Sequence, residues 1–159
     1  MINQMQAYAK TNADGYAKLD AFFIAGDLTD NGKPSEFKVI NDVFKANIEE
    51  GTELILAIGN HDSWTSKDPE GGRPAFLKEF GENSTMRDEV IGGYHVLSIY
   101  GDGNNTGSDY TQEMCDELEV RIKKAIKDTG TDKPVFVIQH VGELNTAVGT
   151  DSYTHARSY

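Results

Sequence analysis

Leu54-Ile55-Leu56-Ala57-Ile58-Gly59-Asn60-His61-Asp62 and, upstream of it, Ala21-Phe22-Phe23-Ile24-Ala25-Gly26-Asp27 are the two stretches that decide the fold. Each is a short apolar run that stops at glycine and then turns polar. A third run, Val135-Phe136-Val137-Ile138-Gln139, ends in His140. Runs of this length, apolar on both faces and bounded by polar residues, have the pattern of strands covered by helices on both sides. The ends of such strands are where an open α/β sheet carries its chemistry. Asp, Asn and His are metal ligands or acid–base groups. The reading therefore brings Asp27, Asn60, His61 and His140 to one edge of one sheet.

The segments between the runs give the rest of an α/β domain. Thr29, Asp30, Asn31 and Gly32 are turn residues. Pro34 suits a first helical turn, and Glu36 faces the positive end of the helix dipole. Phe37, Ile40, Val43, Phe44 and Ile48 have helical spacing, with Gly51 as the stop. A strand at 53–58 follows, so residues 21–58 form a strand–helix–strand unit, which is right-handed and parallel. Residues 2–18 read as a helix turning Met5, Tyr8 and Ala9 inward. Residues 63–93 are less regular, with a loop at 68–74 and one or two helical turns at 75–80. A strand at 94–100 follows. Asp109 and Gln112 can form a capping box for a helix reaching about residue 128, with Met114, Leu118, Ile122 and Ala125 inward. No repeat or boundary divides the chain, so residues 1–159 read as one domain.

Gly26-Asp27-Leu28-Thr29-Asp30-Asn31-Gly32, Gly59-Asn60-His61-Asp62 and His140 after a buried strand together resemble the calcineurin-like metallophosphoesterases. A fixed tetrapeptide such as Gly-Asn-His-Asp arises by chance in roughly one chain in a thousand of this length, so it is a specific signal. The resemblance runs from about Ala21 to Tyr153. It implies an α/β sandwich of βαβ units, with mixed sheets flanked by helices. The family's pattern also opens with Asp-x-His and closes with Gly-His-x-His, and neither occurs here. The simplest reading is a partial domain, cut at both ends.

The resemblance implies roles for individual residues. Asp27, Asn60 and His140 would be metal ligands, with the two oxygens of Asp27 able to bridge two cations. His61 would be the general acid at the leaving oxygen, and Asp62 its orienting partner. The reaction would be hydrolysis of a phosphomonoester or phosphodiester by a metal-bridging hydroxide. Mixed N and O ligands suit Mn, Fe, Zn, Ni or Co. The full-length protein would hold two such ions, and this chain at most one, with little hydrolysis. A gap in the sheet would accompany the missing first strand. The alternative is a non-catalytic α/β module or inactive fragment that keeps the fold without a complete dinuclear site. His95, inside a strand, reads as structural. The context of His155 does not suit a ligand, and Asp102 lacks the spacing of a calcium loop.

Composition narrows the partners. The 159 residues carry 15 basic and 26 acidic side chains, a net charge of −11. Such a surface repels nucleic-acid backbones and anionic membranes, and no basic cluster offsets it. A phosphate ester substrate must then be drawn in by local positive charge, for which bound cations are the obvious source. The single cysteine, Cys115, excludes an intramolecular disulfide and reads as a small helical hydrophobe. No run is long enough to be a transmembrane helix. Compartment and oligomeric state are left open.

Overall fold

The computed structural model describes residues 1–11, 17–64, 68–81, 86–99, 110–130 and 132–142. In chain order the elements are α1 (Ile2–Lys10), β1 (Ala21–Ala25), α2 (Pro34–Asn47), β2 (Glu53–Ala57), α3 (Arg73–Phe80), β3 (Met86–Ile91), β4 (Tyr94–Ile99), α4 (Gln112–Thr129) and β5 (Phe136–Ile138). Two sheets result. β1 and β2 pair in parallel, with Ala21 opposite Glu53 and Ala25 opposite Ala57. β3 and β4 pair antiparallel, and β5 adds to β4 in parallel, with Leu97 opposite Val137. This is the mixed α/β architecture expected from the sequence, built from two strand–helix–strand units, β1–α2–β2 and β4–α4–β5.

One expectation needs correction. β5 is not in the sheet of β1 and β2; its hydrogen bonds go to β4. Nor are all three apolar runs covered on both faces. β2 is, with Ile55, Leu56 and Ala57 buried, but Phe23 of β1 is 51% exposed and Phe136 of β5 49%. Apolar sequence is ambiguous here, because a half-covered strand and a buried one have the same composition.

The core that holds the first unit together is aromatic. Phe37 and Phe44 on α2 meet Phe76 and Phe80 on α3, with Phe37–Phe76 edge-on at 5.8 Å and Phe76–Phe80 at 4.9 Å. Leu56, Ala57 and Ile58 close the cluster from β2 and the residue after it. Between the helices, Asn41 is buried and donates to the Glu79 carbonyl and carboxylate. A smaller core of Met86, Ile99 and Met114 lies under α4.

α1 stops at Lys10, short of the expected span, and turns in Ala9 as expected but not the rest of the expected face. Met5 and Tyr8 are exposed, while Gln6 and Ala9 are buried. The reason is polar. The Gln6 side chain donates to the Asn47 carbonyl and accepts from the Glu49 amide, satisfying the free end of α2. The strand β3 was not foreseen. Its signal is Gly92-Gly93, where both residues have positive φ (60° and 84°) and make the two-residue hairpin turn into β4. α4 is capped by Thr111, whose hydroxyl accepts from the Met114 amide. Asp109, the expected cap, lies outside the described residues.

Glu36, in the first turn of α2, accepts from the amides of Asn31 and Lys33 at 3.1 and 3.0 Å. Burial opposes its charge, but the hydrogen bonds from Lys33 and Asn31 outweigh it and hold the carboxyl below its ordinary range. A depressed carboxylate stabilises the fold above its unfolded pKa of about 4.3 and loses that contribution as pH falls through its folded value. Glu36→Gln should therefore be less stable than wild type at pH 7 by urea unfolding. The difference should shrink as the pH is taken below about 4.3.

Candidate functional site

The site forms where the chain leaves β1 and β2. After β1, Gly26 (φ 86°) and Asp27 (φ 53°) both take left-handed backbone, turning the chain sharply at the strand end. Asp27 is the one non-glycine residue with positive φ among those described. After β2, Gly59 lies against Asp27 so closely that a Cβ there would stand 2.1 Å from Asp27 Oδ1. A Cβ on Gly26 would in turn stand 2.7 Å from the Gly59 nitrogen and 2.8 Å from the His140 ring. Both glycines are required by close approach. Asn60 has ordinary helical backbone (φ −68°) and opens a single 3-10 turn, His61–Ser63.

Asp27, Asn60 and His140 come together. His140 Nε2 is 3.0 Å from Asn60 Oδ1 and 3.4 Å from Asp27 Oδ1. Its other nitrogen, Nδ1, is 2.7 Å from the Ala25 carbonyl and donates to it. With Nδ1–H given to Ala25, Nε2 of the neutral ring turns its lone pair toward the two oxygens. Three electron-pair donors then face one another, an arrangement that a cation relieves. Ligand atoms about 2.1 Å from one small ion stand about 3.0 Å apart at right angles and about 3.4 Å at the tetrahedral angle. The observed spacings fit that donor set. Among the described residues no three His, Cys, Asp or Glu side chains form a metal cluster; here the third donor is an amide.

His61 sits next to this point. Its amide donates to Asp27 Oδ1 at 3.1 Å. Its ring Nδ1 is 2.9 Å from the Asp30 carbonyl, and the Asp30 carboxylate is 3.9 Å away. The imidazole lies on the indole of Trp64, ring centroids 4.0 Å apart at 33°.

The sequence profile of the calcineurin-like phosphoesterases matches residues 3–157. The chain belongs to that family. The match is wider than the span from Ala21 to Tyr153 that carries the strand-end motifs. Among curated proteins none matches the chain. At a general level, membership in the calcineurin-like phosphoesterases carries metal-dependent phosphoester hydrolysis.

In this calcineurin-like phosphoesterase Asp62 is not where its expected role would put it. The sequence suggested an orienting partner for His61, but the imidazole is held by the Asp30 carbonyl instead. Asp62 is fully buried. It accepts from the amides of Leu28, Thr29 and Gly59 and from the Thr29 hydroxyl, at 2.9 to 3.1 Å. One carboxylate thus ties the loop after β1 to the loop after β2. Trp64 was missed as a partner of His61; Asp30 was expected beside the cleft, though not as the partner of this ring. Asp30 acts through its backbone, which side-chain chemistry does not reveal. Trp64 was legible as an aromatic three residues after His61, the spacing at which a 3-10 turn stacks side chains. His95 is structural as expected, buried with Nδ1 2.7 Å from Asp88. His155 and Asp102 lie outside the described residues. No helix among those described is long and apolar enough to cross a membrane.

A hollow of about 490 Å³ between α2 and α3, lined by Ser35, Lys38, Pro74 and Glu79, shares no residue with this site. Lys38 there is already paired with Asp42.

Asp62→Ala removes the acceptor of two buried amides, a part-buried one and a buried hydroxyl. The loss should be about 3 kcal/mol or more in chemical denaturation, since each buried orphan costs roughly 1–3 kcal/mol. Gly59→Ala should displace the Asp27 carboxylate. In calorimetric titration with Mn²⁺ it should bind at least tenfold more weakly than wild type, at roughly 1.4 kcal/mol per factor of ten.

Proposed function

We propose that Asp27 Oδ1, Asn60 Oδ1 and His140 Nε2 hold a divalent cation, and that the chain hydrolyses a phosphate ester with His61 as general acid. The observation carrying this reading is the convergence of three lone-pair donors around His140 Nε2, whose tautomer is set by the bond to Ala25. The bound cation would supply positive charge for the phosphate and for the attacking water. Mn, Fe, Zn, Ni and Co all suit this mixed N and O set.

The remaining work falls to side chains already described. Asp27 brings negative charge to the cation point, and Asn60 adds a neutral oxygen without further charge. His61, about one-third exposed, is open to substrate. With Nδ1–H given to the Asp30 carbonyl, the free nitrogen is Nε2. In the protonated ring, Nε2–H passes to the departing alkoxide, and the neutral Nδ1–H tautomer left behind keeps its bond to Asp30. No proton rearrangement within the ring is needed. With −11 of net charge on the chain, the cation would be the main attraction for an anionic ester.

A second reading rests on the count of donors. The described residues supply one cation's worth, and two-ion catalysis also stabilises the attacking and leaving oxygens together. A chain that holds one ion and turns over slowly or not at all would be a phosphoesterase module that keeps the fold without a complete dinuclear site.

Titration with Mn²⁺ or Zn²⁺ by calorimetry, beside turnover of an aryl phosphate, tests both. The expected result is one site per chain. His61→Ala should keep the metal and lower turnover by a factor of roughly 10²–10⁴; Asp27→Ala should lose both. A His61→Ala protein without metal would overturn the role of His61. Two tight sites with fast turnover would overturn the single-cation set.

A further inference from the structure

We propose that Trp64 is a positioning residue for His61: its indole face, with the Asp30 carbonyl, fixes the imidazole in the tautomer and direction from which Nε2 can deliver a proton. The role in proton delivery rests on the reading of His61 given above; the contact itself does not.

The arrangement follows from the local backbone. The turn His61–Ser63 is 3-10, and the Trp64 amide donates to the His61 carbonyl at 3.3 Å. In a 3-10 turn, side chains three residues apart eclipse one another. The rings of His61 and Trp64 therefore superpose, 4.0 Å apart. The turn is braced at both ends. Ser63 donates to the Gly59 carbonyl, and the Trp64 carbonyl packs on Gly32, where a Cβ would come within 2.6 Å of it. The same Gly32 ends the loop that carries Asp30. Its amide donates to the Thr29 hydroxyl, and its carbonyl accepts from the Gly72 amide at 2.7 Å. Backbone of 29–32 and backbone of 61–64 are thus locked together. The imidazole sits between a carbonyl that takes Nδ1–H and an aromatic face that covers one side of the ring. One-third exposed and not bonded to Asp62, the ring has these two contacts to hold it, with the Asp30 carboxylate 3.9 Å from Nδ1.

A tryptophan is suited to this place. Its face attracts a neutral imidazole by stacking and an imidazolium through its quadrupole. The contact therefore persists through the proton transfer, which a carboxylate partner's contact would not do equally.

The test has one arm that needs no turnover. In the metal-free 159-residue chain, long-range ¹H–¹⁵N spectra at a pH where the ring is neutral read the His61 tautomer. Wild type and Trp64→Phe should show mainly the Nδ1–H form. In Trp64→Leu the Nε2–H to Nδ1–H ratio should rise up to roughly tenfold, the scale of an aromatic pair contact. Trp64 is the single tryptophan, so its emission reports the stack separately. His61→Gln should change that emission, and an unchanged one would overturn the contact. The second arm compares Mn²⁺-loaded proteins on aryl and alkyl phosphates. Trp64→Leu should keep its metal, lose more rate on poor leaving groups than on p-nitrophenyl phosphate, and recover in Trp64→Phe. If His61→Gln turns over as wild type does, the general-acid reading fails whatever Trp64 does. If His61→Gln is slow while Trp64→Leu matches wild type in rate, leaving-group dependence and tautomer, the positioning role alone fails. If no variant or wild type turns over, the tautomer ratio decides.

Discussion

The buried carboxylate of Asp62 is the constraint on which the site depends. Strands β1 and β2 are parallel neighbours, so their ends arrive side by side, but parallel pairing alone leaves the two following loops free. Asp62 removes that freedom. It accepts from Leu28 and Thr29 on one loop and from Gly59 on the other. It can do so because it is fully buried, where unsatisfied amides are costly and the loops have no cheaper alternative. Once the loops are joined, the Gly59 backbone rests on Asp27 with room for no side chain, and the His61 amide meets the Asp27 carboxylate. The residue that sequence chemistry marks as a helper of His61 is the one that assembles the surroundings of His61.

His140 is delivered from the other sheet. β5 hydrogen-bonds to β4, and its end meets the end of β1 through the bond from His140 Nδ1 to the Ala25 carbonyl. The proposed cation point therefore lies on the seam between two sheets. Each sheet holds its own crossover helix, and among the described residues Ile138 of β5 packs on the cluster of α2, β2 and α3 while Arg87 of β3 donates to the Leu54 carbonyl of β2. Placement of the His140 ring then rests on that packing, on the short bond to the Ala25 carbonyl and on its contacts with Asn60 and Asp27. A metal bound across the seam would couple the two sheets, so folding and cation binding would be linked.

Legibility followed physical type. Elements with strong periodicity or caps, such as α2 from Pro34 and β2 before Gly59, were readable within a residue or two. So was the gathering of Asp27, Asn60, His61 and His140, because chemistry-bearing residues stood directly after apolar runs. Three features were hidden. Sheet membership of β5 depends on long-range pairing that its composition does not encode. The inward face of α1 is set by Gln6 capping the end of α2, a polar contact that a hydrophobic pattern misreads. The hold on His61 is a backbone carbonyl and a stacked ring, while the adjacent Asp62, the obvious candidate by charge, points the other way. The hairpin at Gly92-Gly93 and the three-residue spacing of His61 and Trp64 carried signals that went unused.

The backbone of Asp27 gives an independent reason to read this corner as functional. A left-handed conformation at a residue other than glycine costs on the order of 1–2 kcal/mol, although Asp tolerates it better than most. The neighbouring turns that need positive φ use glycine, at positions 26 and 32. At position 27 a glycine would relax the backbone but would carry no carboxylate. The strained residue is also the one whose Oδ1 receives the His61 amide and faces His140 Nε2. Strain that persists where a freer residue would relieve it requires surroundings that over-determine the conformation. Those surroundings are present in the Asp62 bonds and the Gly59 contact. The carboxylate, rather than the turn, is what an aspartate adds at this position. That distinguishes Asp27 from a capping aspartate, whose job any ordinary backbone conformation could do.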